Sequence, residues 1–297
     1  MTVLLHGKKF SNETSKKVIH FINELINKNI NIIYVTSFYE FIEKKLQKYN
    51  NKDIKTISSS EDINEKIDYL ICFGGDGTIL NAATIVKNKQ IPIVGINTGR
   101  LGFLAAISKN ELSSLMNKLI EKDYTLSSRA LLNIDAQNTK LTFPFALNEI
   151  SVSSRQNTSM INIKVFLNNE FLNTYWADGI IISTPTGSTG YSLSCGGPIV
   201  MPESKNFIIT PIAPHNLNVR PLIVSDDNII RIEVVDNNNK DFLLSMDSRN
   251  EYLKNENTIT IQKAKHDIRL LQLQSTTYSK TLREKLLWGL DKRNYEL

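Results

Sequence analysis

The sequence predicts an α/β protein in two parts. An N-terminal open parallel α/β domain (1–125) precedes a C-terminal β-sandwich-like domain (126–274), with a terminal helix in a tail over 275–297. Three observations carry this. Short apolar runs alternate with segments of helical period up to about residue 125, the pattern of strands and crossover helices in a parallel sheet. Beyond that point, period-two runs follow one another with no long helix between them. The last segment places Tyr278, Leu282 and Leu286 at helical spacing with Gly289 as a stop, so its apolar face needs cover from the α/β domain or a neighbouring subunit.

In order, 2–6 reads as a strand. The next helix has Val18, Phe21, Ile22, Leu25 and Ile26 on one face, Ser11 or Asn12 as its cap and Glu13 in its first turn. A strand over 30–36 leads to Ser37-x-x-Glu40, a capping-box pattern ahead of Phe38, Phe41 and Ile42. A weaker strand and helix precede the buried strand 69–73, which runs into Gly74-Gly75-Asp76-Gly77-Thr78 and a helix to Val86. Another buried strand, 91–97, is followed by a helix capped by Ser108-x-x-Glu111, with Leu112, Leu115, Met116, Leu119 and Ile120 on one face. In the second domain Ile161, Ile163, Val165 and Leu167 alternate with Asn162, Lys164 and Phe166, and Asn168-Asn169 turns the chain into Phe171-Leu172. Further strands are predicted at 130–135, 145–151, 179–183, 229–235, 242–245 and 258–262, with Asn237-Asn238-Asn239 as a turn.

Composition narrows the class. The 297 residues carry 35 Lys and Arg against 30 Asp and Glu, a net charge of +5 spread without a basic block, so nucleic acid is not an expected partner. Cys72 and Cys195 have no Cys or His at metal-ligand spacing, which argues against a disulfide framework or a zinc site. Val3-Leu4-Leu5 ahead of Lys8-Lys9 is too short for a secretion signal, and no apolar run has membrane-spanning length. A cytoplasmic protein with no membrane partner is expected.

The chain is organised around Gly74–Thr78. Three glycines at a strand-to-helix turn admit unusual backbone conformations, and their N–H groups can converge on an anion at a helix N-terminus. Asp76 stands in the middle, which suggests phosphoryl transfer; Gly-Asp-Gly is also a common turn. The second signal runs from Asp178 through Thr184-Pro185-Thr186-Gly187-Ser188-Thr189-Gly190-Tyr191-Ser192-Leu193-Ser194 to Gly196-Gly197-Pro198. Its hydroxyls, amides and one aromatic suit a ribose, phosphate or base without a net charge to desolvate; a flexible Ser/Thr/Gly linker is the alternative, which Pro185, Tyr191, Leu193 and the strand feeding the loop count against. Asn148-Glu149 is a third candidate: in isolation such a dipeptide is usually a solvated strand end, but Glu149 can accept from a vicinal diol while Asn148 both donates and accepts. Asn97–Leu104 is a further glycine-bearing loop, in which Arg100 can meet a phosphate or simply solvent. Of four isolated histidines only His215 stands in a suggestive loop. Neither a Walker-type loop nor Gly-x-Gly-x-x-Gly after a strand is present.

Together these stretches resemble the NAD kinases: Gly74-Gly75-Asp76-Gly77-Thr78, Gly95-Ile96-Asn97-x-Gly99-x-Leu101-Gly102-Phe103-Leu104, Asn148-Glu149, and Asp178 through Pro198. The tail, with Leu282, Lys285, Leu286 and Trp288, is also similar. The resemblance implies transfer of the ATP γ-phosphoryl group to the 2′-hydroxyl of the adenosine ribose of NAD, giving NADP, with a divalent metal, Mg²⁺ being the expected one. It implies Asp76 as proton acceptor and cofactor contact, and Gly74, Gly75, Gly77 and Thr78 as the phosphate cradle. Asn148 and Glu149 would meet substrate hydroxyls and neighbouring phosphate or metal. Asp178, Thr189, Gly190, Tyr191, Ser192, Leu193, Ser194 and Ala213 would hold NAD. A site in the cleft between the domains, homodimers or homotetramers, and polyphosphate as donor in some members are implied as well. Many bacterial members have alanine where Gly190 stands, a swap expected to be mild. Near Ser159 and Trp176 the match is poor, and no role is carried over.

An ordinary aspartate, pKa about 3.9, is a weak base for a sugar hydroxyl. Phosphoryl transfer has a loose transition state, so positioning dominates and Asp76 can act as base, orienter or metal contact. The glycine motif holds no Lys or Arg, which leaves the triphosphate charge to metal ions. Two rivals share parts of the pattern: a lipid kinase with the same glycine motif, and a silent dinucleotide-binding regulator.

Overall fold

A computed structural model describes residues 1–46, 54–99, 101–155, 160–235, 241–254, 258–275 and 277–287. The chain divides into two compact units. The first comprises Met1–Ser128 and Ile268–Leu297; the second is Arg129–Asp267. Arg100, Ser159, Asn237-Asn238-Asn239, Trp288 and Gly289, all named above, lie outside the described residues.

The sheet of the first unit runs Lys55–Ile57, Asn31–Val35, Thr2–Gly7, Tyr69–Gly74, Ile93–Asn97, Ile268–Gln272, Thr125–Arg129, with the short Ile107–Ser108 also beside Ile93–Asn97. From Lys55–Ile57 across to Ile268–Gln272 every pairing is parallel. Tyr69–Gly74 is central and buried along its whole length, as its unbroken apolar run requires. Phe73, one residue before the glycine turn, contacts the rings of Phe21 (6.2 Å) and Phe38 (5.7 Å), all three fully buried. This aromatic cluster ties the end of the strand to the helices over it.

Those helices are α1 (Asn12–Asn27), α2 (Thr36–Ile42), α3 (Asp76–Val86) and α4 (Leu112–Glu121). Ser11 is the cap of α1, its Oγ accepting the Thr14 N–H at 3.3 Å. The capping box expected at Ser37 and Glu40 does not form. α2 begins two residues earlier, with Val35 at the N-cap position and no side-chain cap, and the Thr36 hydroxyl donates to Ile57 O at 3.0 Å instead. Ahead of α4 half of the expected box is present: the Glu111 carboxylate accepts the Ser108 N–H at 2.9 Å. Ile120, expected on the buried face, is half exposed.

The second unit holds two six-stranded antiparallel sheets. One runs Leu222–Ser225, Asn206–Ile212, Gly179–Ser183, Glu149–Ser154, Phe242–Met246, Arg249–Leu253; the other Glu170–Ala177, Ile161–Leu167, Ile230–Val235, Thr258–Lys263, Leu132–Ala136, Phe145–Ala146. Alternate side chains from both sheets, among them Ile134, Ile163, Ile232, Ile180, Phe207 and Leu244, form one buried core. That is the sandwich read from the alternation. Asn168 (φ 49°) and Asn169 (φ 70°) make the predicted two-residue hairpin. The only helical breaks among the described residues are a 3₁₀ turn, Thr186–Thr189, and α5 (Tyr191–Ser194).

The chain then returns to the first unit. Ile268–Gln272, which falls within 126–274 and was grouped with the second domain, pairs beside Ile93–Asn97 with Leu270 opposite Ile93. The tail helix α6 (Tyr278–Leu286) is capped by Thr277 and buries Thr281 and Leu282. Tyr278 packs on the Phe103 ring at 6.1 Å. Replacing Ser11 with Ala should cost about 1 kcal/mol, read as a lower urea midpoint with unchanged slope.

Candidate active site

The glycine turn of the first unit is built by proximity rather than by unusual torsions. None of Gly74, Gly75 and Gly77 has a positive φ, contrary to the expectation for this turn. A Cβ on Gly74 would run into the Thr78 side chain, whereas Gly75 and Gly77 are exposed, Gly75 with open space where a Cβ would stand and Gly77 with only Lys8 Nζ in ordinary contact range of it. α3 starts at Asp76 with no side-chain cap, so its first amides are free of the helix ladder.

The Asp76 carboxylate faces back along the sheet. Oδ2 accepts the Phe103 N–H at 2.9 Å, and Oδ1 accepts those of Leu104 and Ala105 at 2.9 and 3.1 Å. Asn97 ties the same loop, its Oδ1 accepting the Gly99 N–H and its Nδ2 donating to Ala105 O. Gly102 is required by this closeness, because a Cβ there would collide with Asp76 Oδ1. Two cations stand near. Lys285 Nζ of α6 is 3.5 Å from Asp76 Oδ2 and 5.0 Å from the Phe103 ring centre; Lys8 Nζ lies 3.8 Å from where a Cβ on Gly77 would be. The turn itself carries no cation, but its neighbours in space supply two.

In the second unit Asn148 and Glu149 open the strand Glu149–Ser154. Thr184 N–H donates to Asn148 O (2.9 Å), Thr184 Oγ1 donates to Leu147 O (2.6 Å), and Gly187 packs against the Asn148 carbonyl so closely that a Cβ would clash. The hydroxyl loop is therefore a fitted cover and not a flexible linker. Ser188 exchanges hydrogen bonds with Val200, and Ser192 Oγ pairs with Thr210 Oγ1 at 2.8 Å. Asn148 Oδ1 and Glu149 Oε2 are buried and accept no hydrogen bond. Burial, with the charge of Asp247 second, pushes the Glu149 carboxyl up to about 7; the Tyr191 N–H opposes this. A Cβ on Gly190 would sit 2.5 Å from Glu149 Oε2, so the alanine of relatives is not a plain gain of one methyl: Glu149 has to shift.

Asp76, Gly74, Gly75, Gly77 and Thr78 thus form one cluster with the loop to Ala105, and Asn148, Glu149, Gly190 and Tyr191 another. Asp178 is not beside Glu149. The strand register sets Glu149 against Ser183, while Asp178 lies past the other end, its N–H donating to Ile212 O. There it neighbours Ala213 (φ 44°), and the rings of Trp176 and His215 pair nearby at 4.1 Å. Thr189, Leu193 and Ser194 belong to the 3₁₀ turn and α5. The sequence reading missed Asp247 and Lys8: an aspartate in a strand turn and a lysine after a strand have no pattern that singles them out. Among the described residues no three His, Cys, Asp or Glu side chains gather as a metal site, and no helix is long and apolar enough to cross a membrane.

A parallel sheet whose central strand ends in an acid-bearing glycine turn, joined in sequence to a sandwich with a hydroxyl loop over a buried Asn-Glu pair, defines a nucleotide-handling phosphotransferase. Residues 5–124 match the ATP-NAD kinase N-terminal domain and residues 147–273 the ATP-NAD kinase C-terminal domain. The chain belongs to the NAD kinase family. It is 44% identical to an NAD kinase of Flavobacterium johnsoniae over 99% of its own length and all of the relative's, and 38% identical to one of Bacteroides fragilis over the same shares. Among solved structures it resembles yeast NADH kinase complexed with NADH (TM-score 0.88, 26% identity, covering 98% of this chain and 88% of that one). It also resembles an NAD kinase from Archaeoglobus fulgidus in complex with ATP (TM-score 0.71, 25% identity, 97% and 98%).

The raised Glu149 carboxyl has a sign for stability. Its neutral form is favoured in the fold, so this contribution is full below its ordinary value of 4.5 and is lost as pH rises through about 7. The loss amounts to about 3 kcal/mol at most. Glu149→Gln should therefore gain on the parent protein between about pH 5 and pH 8 in urea unfolding; parallel stability curves would refute the assignment.

Proposed function

We infer that this chain is the kinase that moves the γ-phosphoryl group of ATP to the 2′-hydroxyl of the adenosine ribose of NAD. The bond from the γ-phosphorus to the β–γ bridging oxygen breaks, a bond from phosphorus to the ribose 2′-oxygen forms, and the hydroxyl proton leaves, giving ADP and NADP. The observation that carries this is the occurrence of both NAD kinase domains, in order, across the chain. NADH on the yeast relative and ATP on the Archaeoglobus relative support the two substrates.

The roles follow from chemistry. Exposed amides at Gly75 and Gly77 offer a phosphate cradle, with Gly74 and Thr78 shaping it and Lys8 and Lys285 adding positive charge. Asp76 is assigned to the reacting hydroxyl. A carboxylate has roughly four lone-pair directions, and three N–H groups use most of Asp76's, which favours accepting one hydrogen bond and orienting the hydroxyl. Asn148 and Glu149, with unspent oxygens, are assigned to substrate hydroxyls, and Asp178, 189–194 and Ala213 to the rest of NAD. With no ready cage among the described side chains, the divalent cation fits best as part of the substrate, arriving on the ATP phosphates and neutralising their charge. We extend the reading to a cytoplasmic homodimer or homotetramer, with polyphosphate as a possible second donor.

A lipid kinase shares the glycine turn but not both family domains. A silent dinucleotide binder would hold NAD without turnover. Purified protein with NAD, ATP and Mg²⁺ should yield NADP, followed with an NADP-specific dehydrogenase. Asp76→Asn should lower kcat by about 100-fold or more with NAD still bound. No NADP from the parent protein would sink the reading, and an unaffected Asp76→Asn would take Asp76 out of the chemistry.

A further inference from the structure

The turn after the strand Phe242–Met246 carries an aspartate that the kinase reading does not use. We propose that Asp247 is a positioning residue for NAD recognition: it fixes the backbone of Leu147, Asn148 and Glu149 and so aims the Asn148 and Glu149 side chains at the dinucleotide. The inference rests on the kinase reading above.

Its carboxylate is buried and accepts N–H groups from three consecutive residues: Leu147 on Oδ2 at 3.0 Å, Asn148 and Glu149 on Oδ1 at 2.8 and 3.3 Å. The Asp247 N–H donates back to Glu149 O at 2.9 Å, which closes a ring. Strand pairing alone cannot do this. The register between Glu149–Ser154 and Phe242–Met246 ends at Ile150 opposite Met246, so the three residues before Ile150 find no strand carbonyls on that side. The Asp247 side chain stands in for them. Its φ of 53° is left-handed, a region where Asp and Asn are enriched, and this turns the side chain back onto the neighbouring strand.

Arg249, two residues on, completes the brace. Its guanidinium donates to Phe143 O (2.6 Å) and Phe145 O, lies over the Phe143 ring at 4.8 Å and stands 3.9 Å from Asp247 Oδ2. One turn thus holds the approach to the Asn-Glu pair from residue 143 to residue 149. The polar atoms left over are Asn148 Oδ1 and Glu149 Oε2, buried without a protein donor. Atoms kept for a ligand have to be aimed by the backbone that carries them, and Asp247 sets that backbone.

Asp247→Asn suits the test because asparagine tolerates the same φ. It keeps one acceptor but turns an N–H donor toward another N–H. The expected result is NAD affinity, by calorimetry, weaker by about 10- to 100-fold, with KM for ATP within about twofold of the parent. Combined with Glu149→Ala, the two losses should be less than additive, because both act through one pair. Asp247→Glu, which keeps the charge but moves it by one methylene, gives a second measure should the Asn variant unfold. Unchanged NAD affinity in a folded variant, equal losses for NAD and ATP, or full additivity with Glu149→Ala would overturn the proposal. Failure of the kinase reading is separate: the parent protein would then make no NADP.

Discussion

A carboxylate that gathers consecutive main-chain N–H groups is the constraint on which the glycine turn of the first unit and its surroundings depend. Asp76 holds Phe103, Leu104 and Ala105 by their amides, and those bonds set where the loop after Ile93–Asn97 can run. Hydrogen bonds to a charged acceptor are worth about 1.5–3 kcal/mol each, more than neutral ones. Gly102 has no side chain because the carboxylate comes so close, and α6 docks with Tyr278 against Phe103 and Lys285 beside the same acid. One residue thereby links the glycine turn, the following loop and the end of the chain. An acid that serves as a structural anchor is also held to a single direction, which suits the orienting role proposed for it.

The second unit repeats the device with Asp247 and the amides of Leu147, Asn148 and Glu149. Here the anchor has an electrostatic cost, since its charge adds to burial in holding back ionisation of Glu149. A fold selected for stability alone would not bury two carboxylates side by side with an oxygen unspent. Retaining them agrees with the binding role proposed for the Asn148-Glu149 pair.

Much of this architecture was legible in local sequence. Period two gave the strand Ile161–Leu167 and its Asn-Asn turn, and an unbroken apolar run gave the buried strand before the glycines. Asn148-Glu149 and the hydroxyl loop were candidates on side-chain chemistry, and the dipeptide stood out only beside the family resemblance. What was not legible depends on partners distant in the chain. Asp247 acts on residues about a hundred positions earlier, and no local pattern marks such a contact. Ile268–Gln272 offers the same three apolar side chains, Ile268, Leu270 and Leu271, whichever sheet it joins. The capping box at Ser37 lost to a hydroxyl bond across to Ile57, and the Gly190 swap looked mild until Glu149 Oε2 was seen in the way.

The first unit is discontinuous, leaving at Ser128 and returning at Ile268. On the ribosome, then, its sheet lacks the strand Ile268–Gln272, and Asp76 lacks Lys285, until the second unit has been made. The whole second unit emerges first and can fold as an insertion whose ends are held by its own sheets. Ile93–Asn97, covered on that side only by Ile107–Ser108 at its Ile96–Asn97 end, meanwhile keeps an open edge near Ile93, a surface that is sticky toward other chains. The strand that joins Ile93–Asn97 to Thr125–Arg129 is therefore made only after the sandwich, and a chain cut before Ile268 would leave the first sheet incomplete while keeping every strand of the second unit.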